Sequence, residues 1–183
     1  AAAMTKGVQS NGVGVSVKHF AVNNQETNRN NVDAIVSPRA LREIYLRGFE
    51  IAVKDADPWT IMSSYNYING TYASESRDLL RDITRDEWGF RGLVMTDWGG
   101  GKNAAAQIHA GNDLLMPGRS VQYENIVAAV KDGSLAVEDL DWCVENVLNL
   151  IVRTPCFAGY EYSDKPDLTA HAQVTRQSAA EGM

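Results

Sequence analysis

Apolar and polar positions along this chain fall into blocks that switch period. Residues 12–17, GVGVSV, place apolar side chains at every second position, the pattern of a β-strand. A polar stretch follows, KHFAVNNQETNRN. Ser37-Pro38 then supplies a helix start, with serine as N-cap and proline at the first helical position. Leu41, Ile44, Tyr45, Phe49, Ala52 and Val53 keep a 3.6-residue period to about residue 54, until DADP (55–58) ends it. TIMSSYN (60–66) is the next predicted strand, with NGTYAS as its loop. A helix follows Ser74, carrying Leu79, Leu80, Ile83 and Glu87-Trp88, and Gly89 closes it. GLVMTDW is a third strand, a short helix covers 103–110, and DLLMPG (113–118) is a fourth apolar run. Two more helices complete the pattern. One carries Tyr123, Ile126, Val127 and Val130 and stops at Gly133; the other runs from Val137 to Ile151 and stops near Pro155.

Strand, loop and helix repeated four times is the signature of parallel βα units. Strands 60–66 and 92–97 carry consecutive apolar residues, as strands buried on both faces do. Polar side chains gather where the strands end: Lys18-His19, Tyr65-Asn66 and Asp97-Trp98, with Met116-Pro117 after the fourth. In (β/α)-barrels the C-terminal ends of the strands form the active-site rim. The predicted class is therefore α/β, and four units amount to half a (β/α)8 barrel. Half a barrel leaves two sheet edges open, so the chain is expected to be a piece completed by further polypeptide.

Composition narrows the function. Of 183 residues, 44% are hydrophobic and 22% charged, a globular balance with enough apolar material for a core. The formal charge of -6 argues against nucleic acid, whose phosphates need a basic surface. No apolar run approaches the roughly 18 residues of a membrane-spanning helix. Cys143 and Cys156 match no metal spacing and make no disulfide framework. His19, His109 and His171 are scattered, and no phosphate-binding glycine loop or GxSxG motif occurs. An uncharged small molecule is the better-fitting partner.

Asp97 is the leading chemical candidate. A carboxylate at a strand end can attack a sugar carbon or stabilise an oxocarbenium ion. Trp98 offers an apolar face for a pyranose ring, and Gly99–Gly101 leave room beside it. The competing reading is a helix N-cap, a common place for aspartate. Lys18 and His19 can donate hydrogen bonds to sugar hydroxyls. Glu26 and Arg29 stand three apart and can pair. Tyr65 ends a strand and can orient Asp97, while Met62 is core or pocket wall. Asn69-Gly70-Thr71 fits a glycosylation acceptor, but Asn-Gly is first a turn pair.

Together these blocks resemble glycoside hydrolase family 3, the β-glucosidase and β-xylosidase group. The stretches that carry the resemblance are KHFAVNNQETNR (18–29), SPRALREIYLRGFEIAVKDADPWTIMSSYNYING (37–70), LLRDITRDEWGFRGLVMTDWGG (79–100) and AGNDLLMPG (110–118), in family order and spacing. The resemblance implies that 1–155 is the C-terminal half of the catalytic barrel. It implies that 156–183 is a linker with the start of a helix leading into an α/β-sandwich domain. Asp97 would be the nucleophile of a retaining exo-acting β-glycosidase. Lys18 and His19 would bind sugar hydroxyls, Tyr65 would hydrogen-bond the nucleophile, and Trp98 would be a sugar platform. Arg29 and Asn24 would shape the rim, with Met62 and Met116 as walls. The acid/base, the other half of the barrel and the sandwich domain would come from outside these residues. The substrate would be a terminal β-D-glucosyl residue of an oligosaccharide or glycoside, with β-xyloside as the alternative and no cofactor required. KHFAVNNQE departs from the KHFPGHG loop of relatives acting on N-acetylhexosamines, which argues against that specificity. Two other readings stand beside this one: a carbohydrate-binding fragment without turnover, and a barrel enzyme using Lys18 as a Schiff-base amine.

Overall fold

The computed structural model describes all of residues 1–183. In chain order, helix α1 (Ala2–Gln9) leads to strand β1 (Ser16–Phe20) and the short β2 (Asp33–Ala34). Next come α2 (Pro38–Ala40), a π-helical turn (Leu41–Tyr45) and α3 (Arg47–Ala56). Then follow β3 (Thr60–Ser63), β4 (Tyr67–Ile68), β5 (Thr71–Tyr72), a 3₁₀ turn (Ala73–Glu75), a π-helical segment (Asp78–Glu87) and β6 (Leu93–Thr96). Helices α4 (Ala104–Ala110), α5 (Ser120–Asp132), α6 (Val137–Arg153) and α7 (Leu168–Glu181) complete the chain.

The central sheet is parallel, ordered β1-β3-β6, with a helical connection between neighbours. Its outward side chains meet the helices in a core built from Phe20, Leu46, Ile61, Leu80, Ile83 and Val94, all at most 1% exposed. A second cluster joins Ile108 of α4, Leu115, Ala129 of α5, Leu135 and Cys143 of α6. Every residue from 155 to 183 is exposed, α7 included.

Five features differ from the sequence reading, each for a local reason. The first strand begins at Ser16, not residue 12, because the run before it is shaped by glycine. Gly12 has φ +76°, and a Cβ on Gly14 would lie 2.3 Å from the Trp59 ring. Lys18 and His19 therefore sit inside the strand instead of after it. The helix from Ser37 contains a π turn, whose extra residue rotates the apolar stripe. Leu46 takes the buried position, while Ile44 is 69% exposed. The 78–87 segment is also π-wound: Leu79, Ile83, Thr84 and Trp88 are buried at steps of four to five residues. Arg42 reaches across to Glu87, tying these two segments together.

The fourth apolar run is only a bridge, Leu114 to Met95. Side chains take over ladder bonds there. The Asp113 carboxylate accepts the Val94 N–H at 2.7 Å, and Thr96 Oγ1 accepts the Met116 N–H at 2.7 Å. Asp113 is further held by Arg85 at 2.6 Å and Asn146 at 2.9 Å, within the core. Finally, the expected loop NGTYAS is partly a hairpin. β4 and β5 pair across Asn69-Gly70, both at positive φ, in the two-residue turn that Asn-Gly favours.

Candidate active site

Strand β6 carries Asp97 to the C-terminal edge of the sheet. Its N–H still donates to the Ser63 carbonyl of β3 at 3.1 Å, so the residue is anchored as the last rung of the ladder. Strand alternation places Met95 and Asp97 on one face, and Met62 pairs with Met95 in register. Met62 is thus a half-buried wall residue on the side of the sheet that Asp97 faces.

Both carboxylate oxygens of Asp97 are engaged. Oδ1 accepts the Trp98 N–H at 2.6 Å, and Oδ2 lies 3.2 Å from His19 Nε2. The N-cap reading fails on this geometry. Helix α4 starts seven residues later, and Asn103 caps it by accepting the Ala106 N–H at 3.1 Å. Asp97 therefore serves no helix; its carboxylate is only 16% exposed and faces an imidazole.

His19 reaches Asp97 through an irregularity in β1. Val17 pairs with Ile61 and Phe20 with Ser63, so Lys18 and His19 together oppose the single residue Met62. This bulge breaks strict alternation, a device that re-aims side chains beside active sites. Phe20 remains fully buried while His19 faces the carboxylate and Lys18 is exposed.

The Tyr65 hydroxyl donates to the Trp98 carbonyl at 2.9 Å, and it stands close enough to the Asp97 carboxylate for hydrogen bonding between the two to add to its electrostatics. Burial first, and the Asp97 charge second, push this phenol above its ordinary pKa. It stays a neutral donor through the physiological range. Arg29 lies over the Tyr65 ring, 4.7 Å from its centroid, and pairs with Glu26 at 2.7 Å. The polar loop after β1 is thereby folded onto the rim, while Asn24 is exposed. Trp98 is 62% exposed, an unusual setting for so large an apolar ring unless something stacks on it. Met116 contributes its carbonyl, which accepts the Gly99 N–H at 2.8 Å. His19, Tyr65, Asp97, Trp98 and Arg29 thus form one contiguous group, with Met62 beneath it.

Two residues behind this group were not singled out in the sequence, Glu75 and Gln107. Glu75 Oε1 accepts the N–H groups of Lys102 and Asn103 at 2.6 and 2.9 Å, and Gln107 donates to the Gly100 carbonyl at 2.7 Å. The one signal for Gln107 was a polar residue on the apolar face of AAAQIHA. The Asn69 amide ties the turn to residue 36: its oxygen accepts from Val36 N–H and its nitrogen donates to Val36 O, both at 2.9 Å. That is a turn-locking role, consistent with the turn reading.

Known proteins resemble this chain along its whole length. The model of the glycosyl hydrolase family 3 N-terminal domain matches residues 1–150. An exo-alpha-(1->6)-L-arabinopyranosidase from Bifidobacterium longum is 47% identical over 98% of this chain, and the match spans 24% of that protein. A thermostable beta-glucosidase B from Acetivibrio thermocellus is 45% identical over 100% of the chain, again 24% of the relative. Beta-glucosidase 3B from Thermotoga neapolitana, solved with glucose, superposes with a TM-score of 0.95 at 54% identity, over all of this chain and 27% of that one. These residues thus span about a quarter of the length of their relatives. With the family model matching over most of the chain and the fold superposing throughout, the chain belongs to glycosyl hydrolase family 3.

Proposed function

We propose that this chain is the nucleophile-bearing part of a retaining β-glycosidase, with Asp97 as the nucleophile. The observation that carries the reading is the seating of Asp97: a strand-end carboxylate, bonded by His19 and the Trp98 N–H, beside an exposed tryptophan. Asp97 attacks the anomeric carbon, and the bond to the leaving oxygen breaks as a second carboxyl protonates that oxygen. Water, deprotonated by the same second group, then attacks the anomeric carbon and frees Asp97. In retaining enzymes the two carboxyls stand about 5–5.5 Å apart. The second one is supplied from outside these residues. In this reading Lys18 and His19 donate to sugar hydroxyls, and Trp98 stacks on the ring. Arg29 and Tyr65 close the rim, and Met62 forms part of the wall.

In this reading the parallel β1-β3-β6 sheet is the C-terminal half of a (β/α)8 barrel, residues 1–155. Residues 156–183 form the linker towards a further α/β-sandwich domain. The exposure of 155–183 and the unpaired outer edge of β1 support that division.

A β-D-glucoside is the favoured substrate. The arabinopyranosidase relative supports a second specificity on the same machinery. An α-L-arabinopyranoside presents an equatorial leaving group, as a β-D-glucoside does, so one nucleophile serves both. The test is mass spectrometry of the full-length parent after treatment with a 2-deoxy-2-fluoro-β-glucosyl inactivator. The fluorine slows breakdown of the covalent intermediate, and label on the Asp97 peptide is expected. Label on another carboxylate would overturn the nucleophile assignment. Faster turnover of an aryl α-L-arabinopyranoside than of the β-glucoside would shift the substrate.

A further inference from the structure

Helix α4 buries Ala104, Gln107, Ile108 and Ala110. Three of these are apolar, and a leucine or alanine at 107 would serve packing as well. A buried amide is costly unless its hydrogen bonds are made. At 1% exposure, Gln107 makes them to the loop behind the sugar site: its Nε2 donates to the Gly100 carbonyl at 2.7 Å and to Ser74 Oγ at 3.2 Å. A carbonyl only accepts, so the atom facing Gly100 must be the nitrogen. The loop is pressed against this amide. Gly101 has φ +75°, and a Cβ there would lie 2.2 Å from Gln107 Nε2. The third glycine of the GGG run is thus explained by Gln107 as well as by its backbone angle.

The same contact extends to the sheet. Asn112, also fully buried, donates to Ser63 Oγ at 3.0 Å and to the Ser74 carbonyl at 3.2 Å. Gln107, Ser74 and Asn112 therefore connect the end of β3 to the glycine loop. On the outer side, the Trp98 backbone is held by the Tyr65 hydroxyl. The Asp97 backbone is anchored by its ladder bond to Ser63, and the loop hangs from it: the Gly100 N–H donates to the Asp97 carbonyl at 2.9 Å and the Trp98 N–H to Asp97 Oδ1 at 2.6 Å.

We propose that Gln107 is a positioning residue for sugar binding: it holds the Gly99–Gly101 loop from behind and so fixes Trp98 as a platform, without touching the nucleophile. The inference rests on the reading of Asp97 and Trp98 given above. Loss of the donor strands the buried Gly100 carbonyl, so the loop must shift. Trp98 moves with the loop, whereas the Asp97 backbone keeps its ladder bond to Ser63 and its carboxylate keeps His19, losing only part of the hold of the Trp98 N–H. Binding is therefore expected to suffer more than chemistry.

The test uses the full-length parent with Gln107→Met, which keeps the side-chain length and removes the donor. Ser74→Ala, which removes only the secondary bond, provides a milder variant should Gln107→Met fail to fold. Two readouts are needed. Hydrogen exchange of residues 98–103 is compared with that of 60–63 as an internal reference. Inactivation by the 2-fluoroglucoside separates reversible binding, Ki, from the bond-forming rate, ki. The expected result for Gln107→Met is exchange about tenfold faster in 98–103 and unchanged in 60–63. Ki rises about tenfold while ki changes less than about threefold. Ser74→Ala gives smaller shifts of the same sign. Wild-type exchange in 98–103 overturns the proposal, as does a loosened loop with unchanged Ki, which would leave Gln107 a purely structural residue. A wild-type enzyme that is not inactivated defeats the nucleophile assignment instead, and the claim about sugar binding falls with it.

Discussion

At the scale of single residues, the site is governed by which atoms face Asp97. Its two oxygens are occupied by a backbone N–H and an imidazole, so they point into the rim and away from any helix end. Asp97→Asn keeps the shape and removes the proposed nucleophile. Turnover of an aryl β-glucoside by the full-length parent is expected to drop by about 10³-fold or more, with the fold intact by circular dichroism. Tyr65→Phe is subtler. The ring stays beneath Arg29, but the bond to the Trp98 carbonyl is lost. Steady-state kinetics should show kcat/KM reduced about tenfold, with stability lowered by about 0.5–1.5 kcal/mol in denaturant titration.

At the scale of elements, local chemistry sets boundaries that the hydrophobic pattern only approximates. Asn103 satisfies the first turn of α4 by accepting the Ala106 N–H. Asn103→Ala is expected to cost about 1 kcal/mol, read as a lower midpoint in urea. The start of β1 depends on Gly14 lying flat against Trp59. Gly14→Ala forces that ring aside, and a loss of about 1–3 kcal/mol is expected in the same assay. The bulge at Lys18 and His19 is a comparable device. It belongs to the pairing of β1 with β3, so it could not be read from the strand's own residues.

At the scale of the whole molecule, polar contacts between helices fasten the outer layer. Asp139 of α6 accepts from Arg81 at 2.8 Å and lies 2.7 Å from His109 Nδ1 of α4. Burial alone raises the Asp139 pKa, but the hydrogen bonds from His109 and Arg81 outweigh it and leave it below the ordinary value. A carboxyl lowered in the folded state adds stability above its unfolded pKa. That stability is lost as pH falls through the folded value. Thermal melts of the wild type should therefore fall as the pH drops below about 4, and Asp139→Asn should flatten that part of the profile. The buried pair deeper in is of another kind. Burial pushes Asp113 up, with Arg85 opposing, and Asp113 also bonds the β6 backbone at Val94.

The sequence by itself determined the three main strands, the helical segments between them and the parallel βα character, but neither the small hairpin at Asn69-Gly70 nor the reduction of the fourth run to a bridge. Period and turn residues are local properties, visible in stretches such as TIMS and GLVMT. It also picked out the residues that the fold gathers around Asp97, since His19, Arg29, Tyr65 and Trp98 stand in recognisable blocks. Tertiary structure decided how they meet. Only the register of β1 on β3 turns His19 towards Asp97, and only the packing of α3 and the 78–87 segment shows where the helical period slips. The partners of Tyr65, Gln107 and Glu75 lie 33, 7 and 27 residues away along the chain. A hydrogen bond needs a partner within about 3 Å, and the fold, not the local pattern, brings those atoms that close.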